Sequence, residues 1–303
     1  MKLSSPVKLE PKHFPIIKPD NKLVFIGSCF SENIGSKYLF PDKSTLVNPM
    51  GILFHPGIIS DILDPNYKAE KEACLEFFKG YVHFDFQKKI NGSTTQECLN
   101  NITTQHKKLC THLKQAHTLF ITLGTAWYYW HKKLNRHVGN CHKIPQQEFD
   151  KRIWKQNEII SLLGEAILNL RKINPEINVV FTVSPVKHLK DGIVENMQSK
   201  ANLISAISEI VENLKNCYYF PSYEILSEEL RDYRFYKDDL AHPSEMAIEY
   251  IHEKFQMCFC DSTLVSKQKE FEAILKYQNH LQYTGQKADE KLEQLKTSFQ
   301  SNW

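Results

Sequence analysis

Several features that would classify a chain at once are missing from this sequence. No apolar run is long enough for a transmembrane helix. The amino-terminal segment has no continuous apolar stretch followed by a small-residue cleavage site, so we expect no secretory signal. The net charge is only +3, from 38 Lys and Arg against 35 Asp and Glu, which favours neither nucleic acid nor an anionic membrane as a partner. We therefore expect a soluble, cytoplasmic protein that binds neither.

Cysteine, histidine and glycine also lack the spacing of common ligand sites. The eight cysteines form neither a disulfide framework nor a zinc motif, so we expect free thiols in a reducing compartment. His106, Cys110, His112 and His117 are spaced so that no three of them lie on one helix face. There is no Gly-rich phosphate loop and no dinucleotide-binding fingerprint. We therefore predict no metal and no organic cofactor.

What is present is an alternation of apolar and amphipathic segments. The 303 residues are 42% hydrophobic and 12% aromatic, which suffices for a sizeable core. Buried strands are predicted at 23–26, 118–123 and 178–183, with helical segments between them. This alternation is typical of an α/β domain with a mostly parallel sheet. We predict that domain over 1–261 and a C-terminal helical tail over 262–303, either a homo-oligomer contact or a loosely attached extension.

Three other segments have a predicted local structure that bears on the fold. Residues 69–78 and 147–173 are both predicted as helices from their apolar periodicity. The aromatic run from Trp127 to Trp130 would suit a sugar or base platform, but we favour a strand that lies half in the core.

Two short motifs together suggest nucleophilic catalysis. The first strand breaks at Gly27 and leads into Ser28 and Cys29 at the start of a predicted helix, where the helix dipole would lower a thiol pKa. Asp239 and His242 form an Asp-x-x-His pair, which offers a general base and a carboxylate to orient it. Taken alone, the first motif is more typical of a buried cysteine beside a helix cap, and the second is slightly more typical of a solvated loop.

The polar turns after the three strands are expected to meet at one edge of the sheet. These turns are 27–29, 124–125 and 184–185, and ligands of parallel α/β sheets gather at the carboxyl ends of the strands. For a triad to form, the loop with Asp239 and His242 must reach the same edge.

The motifs together resemble those of the GSCFA-domain proteins, which are grouped with the SGNH/GDSL hydrolases. The resemblance covers about residues 20 to 260 and leaves out the tail. It is carried by these segments, in this order: Phe-Ile-Gly-Ser-Cys-Phe-Ser (25–31), Asn-Pro-Met-Gly (48–51), Leu-Gly-Thr-Ala-Trp (123–127), Asn-Cys-His-Lys (140–143), Thr-Val-Ser-Pro-Val-Lys-His (182–188), Ser-Lys-Ala (199–201) and Arg-Asp-Tyr-Arg-Phe-Tyr (231–236) before Asp239.

The resemblance implies an SGNH-hydrolase-like fold, which is a flavodoxin-like three-layer α/β/α sandwich. It implies Cys29 as the nucleophile, with Ser28 as the alternative, and His242 and Asp239 as the other triad members. The backbone N–H groups of Cys29 and Gly51 would form the oxyanion hole. Alanine occupies the position of the third donor, an Asn in the wider family, and Thr125 or Asn140 is the candidate replacement.

The resemblance thus implies an acyl hydrolase or acyltransferase that acts on small acyl esters, including acylated carbohydrates. The altered Gly-Ser-Cys motif and the missing Asn leave open an SGNH-fold binding protein without turnover. A third reading is a redox-sensing Cys29, which predicts oxidation without an acyl adduct. Whether Thr125 or Asn140 points into the pocket separates the enzyme from the binding protein.

Overall fold

A parallel five-stranded sheet forms the centre of the structure, a computed structural model that describes residues 5–42, 44–284 and 287–303. The strands of the described residues are β1 (Leu23–Gly27), β2 (Thr45–Val47), β3 (Cys74–Phe77), β4 (Gly80–His83), β5 (Asn91–Gly92), β6 (Thr118–Leu123), β7 (Trp127–His131), β8 (Arg136–Val138), β9 (Phe149–Ile153), β10 (Asn178–Val183) and β11 (Cys217–Tyr219).

Nine α-helices occur in the same ranges. They are α1 (Cys29–Gly35), α2 (Pro56–Leu63), α3 (Thr95–Leu113), α4 (Gln156–Ile173), α5 (Ile193–Asn213), α6 (Ser222–Glu224), α7 (Glu245–Phe259), α8 (Ser262–Tyr283) and α9 (Glu290–Asn302). A π-helical segment, Ile225–Leu230, continues α6. Within this part of the chain, no helix combines the length and the apolar character that crossing a membrane requires.

The central sheet has the strand order β11-β10-β6-β1-β2, and every neighbouring pair is parallel. All residues of β1 and β6 are buried, as expected for strands that are covered on both faces. Gly27 lies opposite Thr122, and Thr122 lies opposite Thr182. The register therefore aligns the carboxyl ends of β1, β6 and β10 along one edge.

Helices cover both faces of this sheet, because two hydrophobic clusters contain alternate residues of β1. Val24 and Ile26 belong to the cluster that also contains side chains of α2, α3, α4 and α5. Leu23 and Phe25 belong to the cluster with side chains of α1, α7, α8 and α9. Successive strand residues point to opposite faces, so the prediction of an α/β domain with a central parallel sheet is confirmed.

The C-terminal tail is helical, as predicted, but it packs firmly onto the domain. Five of its apolar side chains are buried in the second cluster: Leu264, Ile274, Leu281, Leu292 and Phe299. Phe271 meets the ring of Phe40 edge-on at 5.5 Å between centroids, and Lys267 Nζ lies 2.9 Å from Asp42 Oδ2. The alternative of a loosely attached extension is therefore wrong for the described residues.

Each of the two small antiparallel sheets, β3-β4-β5 and β8-β7-β9, contains one strand in a segment that was predicted as helix. In the segment 69–78, Cys74 to Phe77 pair with β4 in a hairpin, so the predicted helix is wrong. In the segment 147–173, the helix begins only at Gln156, because 149–153 pairs with β7. The strand predicted at Trp127 to Trp130 is confirmed as β7.

Candidate functional site

The turn after β1 requires glycine. Gly27 has φ +128°, and a Cβ atom there would overlap the carbonyl oxygen of Thr122 on β6. The Gly27 N–H donates to Asn48 Oδ1 at 2.9 Å. The chain can therefore leave the sheet abruptly and begin α1 at Cys29.

Ser28 and Cys29 differ in what their side chains do at this turn. Ser28 is 2% exposed, its backbone N–H donates to Thr122 O at 3.0 Å, and its hydroxyl caps α1 by accepting from Phe30 N at 3.2 Å. Cys29, the first residue of α1, is only partly buried. Of the two neighbouring nucleophiles, the thiol is the accessible one.

The Cys29 thiol is not activated in the way the helix position predicts. Burial raises its pKa above 9.0, and Glu32 raises it further. The N–H groups of Cys29 and Phe30 and the charge of Lys200 act in the opposite direction without offsetting these effects. The expectation of a lowered pKa is therefore wrong, because the loss of hydration outweighs the helix terminus. Near pH 7 the thiol is protonated and needs a base.

Asp239 and His242 form an ordered pair in the loop before α7. Asp239 Oδ2 lies 2.6 Å from His242 Nδ1, and Asp239 Oδ1 accepts from the backbone N–H groups of Ala241 and His242 at 3.0 and 2.9 Å. These N–H groups, with the ring, lower the pKa of Asp239 to about 2. The ionised carboxylate holds a proton on Nδ1 and leaves Nε2 as the acceptor. Both side chains are about half exposed.

This loop reaches the sheet edge at which Cys29 lies. Lys187 N, in the segment after β10, donates to Ala241 O at 3.0 Å. The hydrogen bonds of these described residues include none between Cys29 Sγ and the His242 ring. The structure brings the three triad candidates to one edge without joining thiol and imidazole.

Lys200 is a site residue that the sequence reasoning missed. It is 1% exposed on α5, and its Nζ donates to Gly124 O and Ser184 O at 2.7 Å each, tying the ends of β6 and β10 together. Burial lowers its pKa to about 7, against the opposing influence of Cys29 and Glu224. The sequence does contain a signal for this burial: Lys200 lies three residues before Leu203 and so falls on the apolar face of α5.

His188 is the second missed residue, although it ends one of the quoted motifs. Its Nε2 would lie 3.3 Å from a Cβ atom on Gly124, and its ring stands edge-on to Phe54 at 5.8 Å. Burial, followed by the charge of Lys200, lowers its pKa to about 4. No hydrogen bond from a described residue reaches its ring nitrogens. A neutral imidazole with an unused N–H therefore borders the end of β6.

Two of the predicted oxyanion donors, Gly51 and Thr125, already donate their backbone N–H groups to other acceptors. The Gly51 N–H donates to Asn48 O at 2.9 Å within a turn. The Thr125 N–H donates to Phe54 O at 3.1 Å, and its hydroxyl lies 3.0 Å from Ser199 Oγ and accepts from Trp127 N at 3.0 Å. The Cys29 N–H, in contrast, has no acceptor among the described residues.

Asn140, the third predicted donor, lies in the region of the small sheets. Its N–H donates to Phe84 O at 2.7 Å, and its Oδ1 accepts from His142 N at 2.9 Å. None of these bonds reaches Cys29 or His242. Among the described residues, no three or more His, Cys, Asp or Glu side chains are grouped so that they could share a metal ion.

Comparison with known proteins gives one family match. The sequence profile of the GSCFA family matches residues 22–255, which is more than half of the chain. No curated protein matches the sequence significantly. A solved structure from Streptococcus pneumonia, provisionally described as a platelet activating factor, is 12% identical, with a TM-score of 0.41; the similarity covers 78% of this chain and 84% of that one.

Proposed function

We propose that this protein, which belongs to the GSCFA family, is an SGNH-type acyl hydrolase or acyltransferase with a Cys29–His242–Asp239 triad. The observation that carries the proposal is the 2.6 Å Asp239–His242 contact in a loop bonded to the sheet edge where Cys29 begins α1. An accessible nucleophile, a histidine with a free Nε2 and a carboxylate that fixes its tautomer are the parts that covalent acyl transfer needs.

In the proposed reaction, His242 Nε2 takes the proton of the Cys29 thiol as sulfur attacks the acyl carbon. The tetrahedral oxyanion collapses to a thioester, and His242 returns the proton to the leaving alkoxide. Water or an acceptor alcohol then attacks the thioester with His242 as base, which releases the acid or a new ester and restores the thiol. Because the pKa of Cys29 is raised, deprotonation by His242 is coupled to attack.

For the oxyanion hole, we assign the backbone N–H of Cys29 and the ring of His188. The N–H groups of Gly51 and Thr125 donate to Asn48 O and Phe54 O. Asn140 is bonded to Phe84 and His142 in the region of the small sheets, whereas the His188 ring has no hydrogen bond to a described residue and lies beside Gly124. His188 would thus take the part of the Asn that Ala126 replaces. Ser28 keeps the role of helix cap.

Small acyl esters, including acylated carbohydrates, remain the proposed substrates, and the chemistry needs no metal or organic cofactor. All eight cysteines are free thiols, which supports a reducing, cytoplasmic location. The tail remains a candidate homo-oligomer contact, and we expect neither nucleic acid nor membrane as a partner.

A binding protein without turnover is the second candidate. It is favoured by two observations: the thiol and the His242 ring share no hydrogen bond, and the pKa of Cys29 is raised rather than lowered. In that case the same sheet edge would hold a ligand that is never cleaved.

The test is intact-mass analysis and peptide mapping after brief exposure to p-nitrophenyl acetate. Wild type is compared with His242→Ala, Cys29→Ala and the control Cys110→Ala, which removes another partly buried thiol. We expect an acetyl group on Cys29 that forms about 10²–10⁴ times more slowly without His242 and normally in the control. An adduct on Ser28 would show that Ser28, and not Cys29, is the nucleophile. No adduct with acetate or longer esters on folded protein would favour the binding protein.

A further inference from the structure

An open groove of about 420 Å³ lies beside the Asp239–His242 loop. Its apolar lining comes from Leu189, Ile193, Met197, Tyr223, Tyr236 and Leu240; we call this the apolar groove. Its volume falls within the range of about 300–1,000 Å³ that is typical of small-molecule sites.

Several of the hydrophobic side chains that line the apolar groove are exposed to solvent. Ile193 is 73% exposed, Met197 53% and Leu240 46%. Ile193 and Met197 are four residues apart on α5 and therefore share one helix face, and the Tyr223 hydroxyl lies 3.1 Å from Met197 Sδ. Single exposed apolar residues need no explanation, but a concave cluster of them indicates a binding site.

The apolar groove is continuous with the proposed catalytic residues. Leu240 lies between Asp239 and His242 in sequence, and Lys187, on the groove wall, precedes His188 and bonds to Ala241. Tyr223 on its floor lies under the Lys200 ammonium, 5.5 Å from ring centroid to Nζ. An alkyl chain of an ester whose carbonyl carbon is attacked by Cys29 can therefore extend into the groove.

The charges on the rim of the groove balance. Lys187 and Arg231 oppose Glu228 and Asp232, and the Lys187 ammonium stacks over the Tyr236 ring at 3.8 Å from the centroid. The Arg231 guanidinium lies 3.9 Å from Glu228. No excess of one sign is left to attract an ionic ligand, so the lining favours an uncharged chain.

We propose that the apolar groove binds an unbranched apolar chain of medium length, which is part of the substrate. This inference rests on the proposed function and narrows it from small acyl esters to esters with a medium-length alkyl arm. The arm belongs to the acyl group or to the alcohol, and the experiment separates the two.

The experiment measures kcat/KM for acylation of Cys29 with two ester series. One varies the acyl chain of p-nitrophenyl esters from butyrate to octanoate, and the other varies the alcohol of acetate esters from butyl to octyl. A fully buried methylene contributes about 0.8 kcal/mol, or about fourfold. In an open groove we expect about twofold per methylene, hence about 16-fold over four methylenes in one series. Met197→Gln should reduce that to less than about fourfold.

Met257→Gln is the matched control, because Met257 is 52% exposed on α7 and does not line the groove. It should keep the wild-type dependence on chain length. Acylation without any dependence on chain length, or the same loss in both variants, would overturn the groove proposal and leave the proposed function intact. One further result would overturn the groove proposal: wild type self-associates, and Met197→Gln abolishes the self-association without changing the chain-length dependence. The groove would then be a protein interface.

If no ester acylates Cys29, a binding measurement tests whether the groove binds an alkyl chain. Calorimetry on Cys29→Ala compares octan-1-ol with butan-1-ol, with and without Met197→Gln. Preferential binding of octan-1-ol that Met197→Gln weakens at least fivefold would support the groove, although the proposed function had failed. Equal or undetectable binding of both alcohols would overturn it.

Discussion

The buried Lys200 makes a measurable prediction about stability and pH. Its Nζ has two acceptors, Gly124 O and Ser184 O, and burial lowers its pKa in the folded state to about 7 from 10.5. Below pH 7 the folded and unfolded states both carry the proton, and the full cost of burying the charge is present. Above pH 7 the folded protein releases the proton while the unfolded chain keeps it, so the free energy of unfolding rises with pH.

The size of this effect follows from the shift in pKa. With a folded pKa of about 7, Lys200 adds about 2 kcal/mol to the free energy of unfolding between pH 7 and 8.5, because the slope approaches 2.303RT per pH unit. Cys29 and Cys260 have raised pKa values and lower the stability as pH rises through about 9. The window below pH 8.5 avoids most of that opposing effect.

The assay is urea unfolding followed by tryptophan fluorescence, at four pH values between 7 and 8.5 with the thiols kept reduced. Lys200→Met and Lys200→Gln remove the titrating amine, and Gln can still donate to one of the two carbonyls. The free energy of unfolding of both variants should rise by about 2 kcal/mol less than that of wild type over this window, whatever their stability at pH 7. If either variant keeps the wild-type slope, another group causes it and the account of Lys200 is wrong.

Three further predictions concern the turn, the oxyanion hole and the tail. Gly27→Ala should lower the free energy of unfolding in urea by about 2–4 kcal/mol, because of the positive φ and the overlap with Thr122, whereas Gly164→Ala on α4, where a Cβ meets nothing within 4 Å, should be neutral or stabilising. His188→Ala should reduce kcat/KM for acylation about 10²–10³-fold, with partial recovery in His188→Asn; an unchanged rate would remove His188 from the oxyanion hole. Deleting 262–303 removes five buried apolar side chains from the second cluster, and burying each of them contributes about 1.5–3 kcal/mol. The truncated chain should therefore show no cooperative unfolding in a thermal scan. A wild-type melting temperature would contradict the observed packing of the tail.

The sequence predicts the three central strands of the sheet, β1, β6 and β10, because they are continuous apolar runs that lead into glycine or serine. Burial on both faces produces that pattern directly, as β1 and β6 show. The small sheets escaped prediction for a physical reason. Strand β9 is a five-residue segment that pairs only with β7, and it directly precedes a helix with strong apolar periodicity. Such a strand is specified by its partner rather than by its own pattern.

The candidate site also contains residues that the sequence predicted and features that it did not. Gly27, Cys29 and the Asp239–His242 pair were visible because chemistry demands those residue types at short spacing. The pKa of Cys29 was predicted with the wrong sign, since the helix position is readable from sequence, whereas the burial that dominates the shift is not. Lys200 escaped notice because a lysine within a helix is usually solvated, and only the fold shows that its ammonium meets two strand ends.

The two missed residues together explain how the site could work with alanine at position 126. An asparagine donates a hydrogen bond at any pH, whereas a histidine is a neutral donor only above its pKa. Burial, assisted by the charge of Lys200, lowers the pKa of His188 to about 4, so its ring is neutral near pH 7. Lys200 holds β6 and β10 at the spacing that places the His188 ring beside Gly124. On the proposed function, Lys200 is therefore a positioning residue, and the tuned imidazole supplies the donor that the alanine lacks.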